Sequence, residues 1–342
     1  MDSITQAALG ATIAGAVAGK HCNGKVLFAG AALGTLPDLD VLIDYGDIVS
    51  NTIKHRGFSH SLLVLLPFSL LLAWLSNKLI NHEYWCFNKL LLLIASVLIT
   101  HPLLDYFTTY GTQLTWPMTG YYARSSIFII DPLYTVPLLV AIFVCWRAPN
   151  KGRLYCAGAL CLSTLYVLWS LIAQQQIKQR VAINLTALGL SANPTLITPM
   201  PLNTLLWRIV ILDGDQYLEG MASLLDDGQD IHFTRHQRGD WPIAEVPELL
   251  DQYQLFTRQF VSYRQEQDKL IVSDLRMGVT GNLAFQFQFA HKNENNEWQL
   301  QTPTSYQSIR IDIDLKKWFE RIMGDSSITT LSKHEKLSGA VQ

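Results

Sequence analysis

Charge is scarce in this 342-residue chain: Asp, Glu, Lys and Arg make up 16% of it and the formal net charge is -2. That removes the basic excess on which nucleic-acid binding depends. Cysteine is sparse and confined. Cys22, Cys86, Cys145, Cys156 and Cys161 show no CxxC or zinc-ribbon spacing and none lies beyond residue 161, so they read as small apolar fillers and the later half carries no disulfide. The opening stretch, MDSITQAALGATIAGAVAG, is apolar and rich in small residues but lacks the cationic start of a secretory signal and has Asp2 there instead. It is expected to stay in place as a helix whose Ala and Gly faces pack closely. A phosphate-cradling P-loop, a dinucleotide fingerprint and the G-x-S-x-G or Ser-x-x-Lys nucleophile motifs are missing too.

What the chain has in quantity is apolar sequence, 49% of its residues, and it is unevenly spread. Long apolar runs dominate to about residue 175, whereas from about 178 charges, Gln and Asn recur every few residues. The pattern predicts an α-helical polytopic membrane domain of four to six helices over 1–175, a proline-punctuated linker over 176–204 and a soluble α+β domain over 205–342. A spanning helix needs about 20 mostly apolar residues. Stretches 61–80, 127–147 and 154–174 meet this, 89–107 meets it but ends in polar groups, and 3–19 and 26–43 are weaker. In the later half, LLWRIVILDGDQYLEG reads as two strands around an Asp-Gly turn, VPELLDQYQLFTRQFVSYR (246–264) as helical, LAFQFQFAH as strand and LKKWFERIM as an amphipathic segment.

If all six apolar segments cross, Lys20, Lys25, Lys78, Lys89, Arg147, Lys151 and Arg153 fall on one side and only Lys54, Arg56 and Arg124 in the short loops opposite. The excess marks the first side as cytoplasmic and places the soluble half outside, in the periplasm.

The ionisable residues that interrupt the membrane half form four clusters: Asp2 with Gln6 one turn on, Asp38 and Asp40 in GTLPDLD, His55 and His60 in HRGFSH, and His101 with Asp105 in HPLLDYFTTYGT. Pro37 disfavours helix just before it, which predicts an extended PDLD with both carboxylates on one side. His101 and Asp105, four apart, share a helix face. Each cluster has a plain alternative as an N-cap, a turn, an interfacial anchor or a buried ion pair. Together they argue otherwise, because an ionisable group inside a spanning segment costs about 2.5–3.5 kcal/mol, and in the topology above all four fall at one membrane face. Asp131 arrives there as well.

Imidazole and carboxylate without thiolate suit Zn, Mn or Fe, as one ion or as two. His55, His60 and His101 are the first-choice ligands, and Asp38, Asp40 and Asp105 are ligands, orienting partners or the general base. Asp2 is a further candidate ligand. Arg56, between the two histidines, suits an anionic phosphate, whereas Arg124 reads as a snorkelling anchor. Ser59 is a rival nucleophile without a supporting motif. His232 and His236, four apart in a strand or loop pattern, make a weak second metal candidate. The chemistry expected is hydrolysis of a phosphoester or ester of a lipid-like substrate by metal-activated water, with the bilayer as the surrounding partner. The competing reading is a non-catalytic metal-binding membrane protein with a structural or stress-response role. A transporter fits less well, since polar groups are scarce at mid-bilayer depth.

The ordered series MDSITQAALG, GTLPDLD, HRGFSHSLL, HPLLDYFTTYGTQLTWP and IDPLYTVPLL resembles the YdjM-like family of inner-membrane proteins, described as membrane-bound metal-dependent hydrolases, some under LexA control in the SOS response. The resemblance covers most of residues 1–145 and continues into PMPLNTLLWRIV. It implies that Asp2, Asp38, Asp40, His55, His60, His101 and Asp105 are the family's polar positions. The family's opening motif usually reads Thr-His, where this chain has Thr5-Gln6, and an amide is a poorer zinc ligand than imidazole. A fainter similarity to zinc-dependent phospholipase C favours phosphoesters.

Overall fold

The computed structural model describes residues 1–80, 84–307 and 312–332, so part of the 78–89 connection lies outside the described residues. The chain forms two compact units. The first comprises Met1–Tyr45, Asn51–Leu171 and Pro201–Asn203, the second Gly46–Ser50, Ile172–Met200 and the residues from Thr204 onward.

The first unit is helical. Its elements are α1 (Ser3–Ala18), α2 (Gly24–Thr35), most of α3 (Ile48–Lys54), α4 (Leu62–Leu79), α5 (Phe87–Tyr106), α6 (Pro132–Arg147) and the beginning of α7 (Pro149–Leu188). Helices α4 and α5 and the Lys151–Leu188 stretch of α7 are long and apolar enough to cross a membrane. Leu63, Leu66, Leu70 and Trp74 of α4, and Leu162, Leu165 and Trp169 of α7, are exposed on the protein, as expected of side chains whose solvent is lipid. The 127–147 segment yields a shorter helix than its hydropathy predicts. Asp131 accepts the N–H of Leu133 and Pro132 takes the first helical position, so the helix starts there and has 16 residues.

Helices α1 and α2 are also short, and they are joined through glycine. A Cβ on Gly34 would stand 2.5 Å from the carbonyl oxygen of Gln6, and one on Gly30 2.5 Å from that of Gly10. Their backbones touch at these points, the close approach that small residues allow between helices in lipid. Asp2 caps α1 by accepting the N–H groups of Ile4 and Thr5.

PDLD departs from the extended form expected of it. Leu36 is helical at φ -57, ψ -44, and Pro37–Leu42 is a 3-10 turn continuing from α2. The bias against helix before proline gives way here because the ring's fixed φ suits the first position of the next helical turn.

The second unit is α+β, with the end of α7 packed beside it in one apolar cluster: Ile177 and Val181 contact the core that contains Trp207, Ile209 and Leu218. Strands β1 (Thr195–Pro199), β2 (Leu206–Asp213), β3 (Gln216–Ser223) and β4 (Phe233–Gln237) form an antiparallel sheet in that order. Asp213 pairs with Gln216 across a turn in which Gly214 adopts φ +62, the hairpin that Asp-Gly signalled. Residues 176–204 thus hold the end of α7 and β1.

In the 246–264 segment, only α8 (Glu248–Phe256) is helical. Arg258 and Gln259 turn the chain at positive φ, and β5 (Val261–Glu266) follows. Beyond it come β6 (Lys269–Asp274), the small hairpin β7 (Gly278–Val279) and β8 (Asn282–Leu283), then β9 (Gln286–Lys292), β10 (Trp298–Ser305) and α9 (Leu315–Ile322). The second large sheet has the order β10-β9-β6-β5.

Candidate metal centre

Four side chains from three elements of the helical unit meet at one point. Helix α5 contributes His101 and Asp105, the 3-10 turn after α2 contributes Asp38, and a second 3-10 turn, Phe58–His60, contributes His60. One ligand atom from each lies within 4.8 Å of every other. His60 Nε2 is 3.1 Å from His101 Nε2, 3.2 Å from Asp105 Oδ2 and 3.3 Å from Asp38 Oδ1. His101 Nε2 is 3.3 Å from Asp38 Oδ1 and 3.5 Å from Asp105 Oδ2. Bonds of about 2.0–2.1 Å to a tetrahedral zinc put neighbouring ligand atoms about 3.3–3.4 Å apart, so these five separations have the length of a zinc tetrahedron's edges.

The lone pairs face inward. His101 Nδ1 is 2.6 Å from the carbonyl oxygen of Gly34; a carbonyl only accepts, so Nδ1 carries the hydrogen and Nε2 presents its lone pair. Asp38 Oδ1 and Asp105 Oδ2 are buried and make no hydrogen bond. A cation, whether metal ion or proton, is what such a set binds. Burial pushes the Asp38 carboxyl up, but the His101 and His60 imidazoles beside it outweigh this and hold it well below the ordinary carboxylate range. Burial lowers His60, and Asp105 and Asp38 more than reverse that, raising it.

His60, His101 and Asp105 are sealed from solvent, while the Asp38 side chain is 16% exposed and forms the open edge. Around the four stands a second set. Gln6 Nε2 donates to Asp105 Oδ1 and to the His101 carbonyl, both at 3.2 Å. Arg56 is buried, with Nε 3.4 Å from Asp105 Oδ2, Nη1 donating to Thr108 and its guanidinium over the Tyr110 ring. The Met1 amino group also contacts Asp105 Oδ1. Asp40 accepts from His55 Nδ1 (2.7 Å), the Arg56 N–H (2.9 Å) and Ser59 Oγ (2.5 Å). Burial pushes the Asp40 carboxyl up, and His55 and Ser59 outweigh it and bring it down.

Of the residues singled out in the sequence, the structure therefore brings Asp38, His60, His101 and Asp105 together. Asp40 and His55 pair with each other beside them, the His55 ring 6.0 Å from that of His60. Asp2 is engaged as the cap of α1, with Thr5 Oγ1 donating to it at 2.5 Å. Asp131 caps α6 and accepts from Tyr166. In the second unit, His236 stacks on Tyr217 and lies 3.8 Å from Glu219, and among the described residues no metal-ligand group includes it or His232. Sequence reasoning missed the Gly34 carbonyl, for which a backbone atom gives no signal, and the clamp by Gln6, which the Thr5-Gln6 departure flagged only as a weaker ligand.

The model of the YdjM inner membrane protein family matches residues 1–177, which takes in all four ligand candidates. The chain belongs to the YdjM inner membrane protein family. Within reach of that match, the chain is 34% identical to the inner membrane protein YbcI of Escherichia coli (strain K12) over 117 residues, 33% of this chain and 64% of YbcI. It is 27% identical to the uncharacterized protein YfhP of Bacillus subtilis (strain 168) over 157 residues, 46% of this chain and 47% of YfhP. The chain thus spans less than two thirds of YbcI and about half of YfhP. No solved structure matches it.

Proposed function

We propose that this YdjM-family protein is a membrane-bound metal-dependent hydrolase, holding one divalent ion, zinc first and manganese or iron as alternatives, and acting on a phosphoester or ester of a lipid-like substrate. The observation that carries the reading is the set of inward-facing lone pairs of Asp38, His60, His101 and Asp105 at tetrahedral-edge spacing. An ion held there supplies a Lewis acid and acidifies water to near neutrality. The protein's own groups frame that chemistry. Asp38, at the exposed edge, lies where substrate enters. Arg56 lies against Asp105 and favours anionic groups at the centre. His55, half-buried with Nδ1 on Asp40, stands at the rim as the acid-base candidate. The chain crosses the inner membrane several times, with the loops richer in Lys and Arg cytoplasmic and the second unit periplasmic.

The second reading, a metal that locks the helices without turnover, draws on the same geometry, because four protein ligands are the signature of closed structural zinc sites. Metal analysis of purified protein beside His60→Ala, His101→Ala and Asp105→Asn tests the site. About one equivalent in the parent and a marked loss in each variant is expected; unchanged content in all three removes the site. Release of headgroup from phospholipid in mixed micelles, abolished by chelation, separates the readings, since a purely structural ion gives a chelator-sensitive melting temperature and no release.

A further inference from the structure

Ser59 lies between the buried ligand His60 and the Asp40 carboxylate. Its Oγ is 2.5 Å from Asp40 Oδ2 and 2.9 Å from His60 Nδ1, while Asp40 itself is 3.7 Å from that nitrogen, too far for a direct hydrogen bond. A serine hydroxyl has one hydrogen, and an ionised carboxylate accepts only. The hydrogen therefore goes to Asp40, whose two oxygens are further fixed by His55 Nδ1 and the Arg56 N–H. Toward His60 the hydroxyl presents a lone pair, so His60 Nδ1 is the donor and, in the neutral ring that a metal requires, Nε2 is left bare, facing His101, Asp38 and Asp105. This is opposite to a nucleophilic serine, whose hydrogen must point at the imidazole.

We propose that Ser59 and Asp40 form a positioning relay that holds His60 as its Nδ1–H tautomer with Nε2 aimed into the metal centre. Ser59 is a positioning residue and not the nucleophile. For His101 the Gly34 carbonyl does the same task with backbone alone, so the two imidazoles reach the same tautomer by independent means. The proposal rests on the metal-centre reading for its purpose but not for its geometry, and the test keeps the two apart.

The test uses the full chain in nanodiscs with ring-15N histidine, the His60 and His101 signals being assigned by single substitutions. In metal-free protein, at a pH where both rings are neutral, His60 is expected to show the Nδ1–H pattern. Ser59→Ala should shift it to the Nε2–H form or a mixture while His101 stays unchanged, and Ser59→Thr, which keeps the hydroxyl, should restore it. Zinc affinity by chelator competition should fall about 10–100-fold in Ser59→Ala and recover in Ser59→Thr. A His60 tautomer indifferent to Ser59→Ala overturns the relay, as does an unshifted tautomer with an unchanged affinity in Asp40→Asn. If the parent protein takes up no metal, the metal-centre reading fails, and the tautomer measurement still decides the relay.

Discussion

Arg56 is the residue on which the buried charges balance. It adopts φ +63, a left-handed conformation that bulky residues seldom take, and this turns its N–H onto Asp40 while its side chain reaches Asp105. Arg56→Met would leave the buried Asp105 carboxylate with the Met1 amino group but no guanidinium, a loss whose upper bound is the about 3–5 kcal/mol of a buried pair that loses one member. A marked fall in the melting temperature of metal-free protein in detergent is expected, and an unchanged melting temperature would show that Arg56 is not the counter-charge. At this scale the four candidate ligands were legible because imidazole and carboxylate are expensive in apolar sequence and stand out against it. The division of labour among neighbouring groups was not legible. His55 and His60 are five residues apart in one motif, and only the 3-10 turn that ends at His60 sends one ring inward and leaves the other on Asp40.

At the scale of elements, the centre depends on the seam between α1 and α2, since Gln6 and Gly34 bring α1 and α2 onto Asp105 and His101. Gly34→Ala puts a methyl 2.5 Å from the Gln6 carbonyl oxygen and should force the pair apart, lowering zinc affinity at least about tenfold although alanine is the better helix former by about 1 kcal/mol. Gly24→Ala, at the start of α2 with nothing within 4 Å of the added carbon, is the control expected to bind zinc like the parent. Equal loss in both would show that the effect does not come from the seam. The apolar runs announced α4, α5 and α7, and two strand-like runs around an Asp-Gly turn announced β2 and β3. The 3-10 form of PDLD and the late start of α6 were hidden for one reason: a proline biases its neighbours, but capping and packing decide which side of it the helix lies on.

Taken whole, the molecule makes two further predictions. Cysteines placed at Lys151 and Gln216 should react with a membrane-impermeant thiol reagent from opposite sides of intact inner membrane; labelling of both from one side contradicts the proposed orientation. The second unit should be acid-sensitive. Burial pushes His236 below its ordinary value, so the stability it contributes is complete above about pH 6.5 and begins to be lost as pH falls below that. Burial alone would raise Glu219, but the Arg208 guanidinium and the Thr280 N–H outweigh it and bring it down. Its contribution is present above about pH 4.3 and is lost as pH falls further, through its folded value. His236→Phe, which keeps the stack on Tyr217, should remove the earlier loss of thermal stability and leave the later one, read from the melting of the strand signal in circular dichroism.

The glycine contacts between α1 and α2 also say how the centre meets a change of membrane. Two backbones already touching have no slack to yield, so lateral pressure from tightly packed acyl chains cannot bring them closer and simply keeps them shut. If the seam lies in the bilayer as proposed, loosely packed or thinned lipid acts in the other direction, relaxing the squeeze that holds Gly34 against Gln6, and an ion at the proposed centre should be held least tightly there.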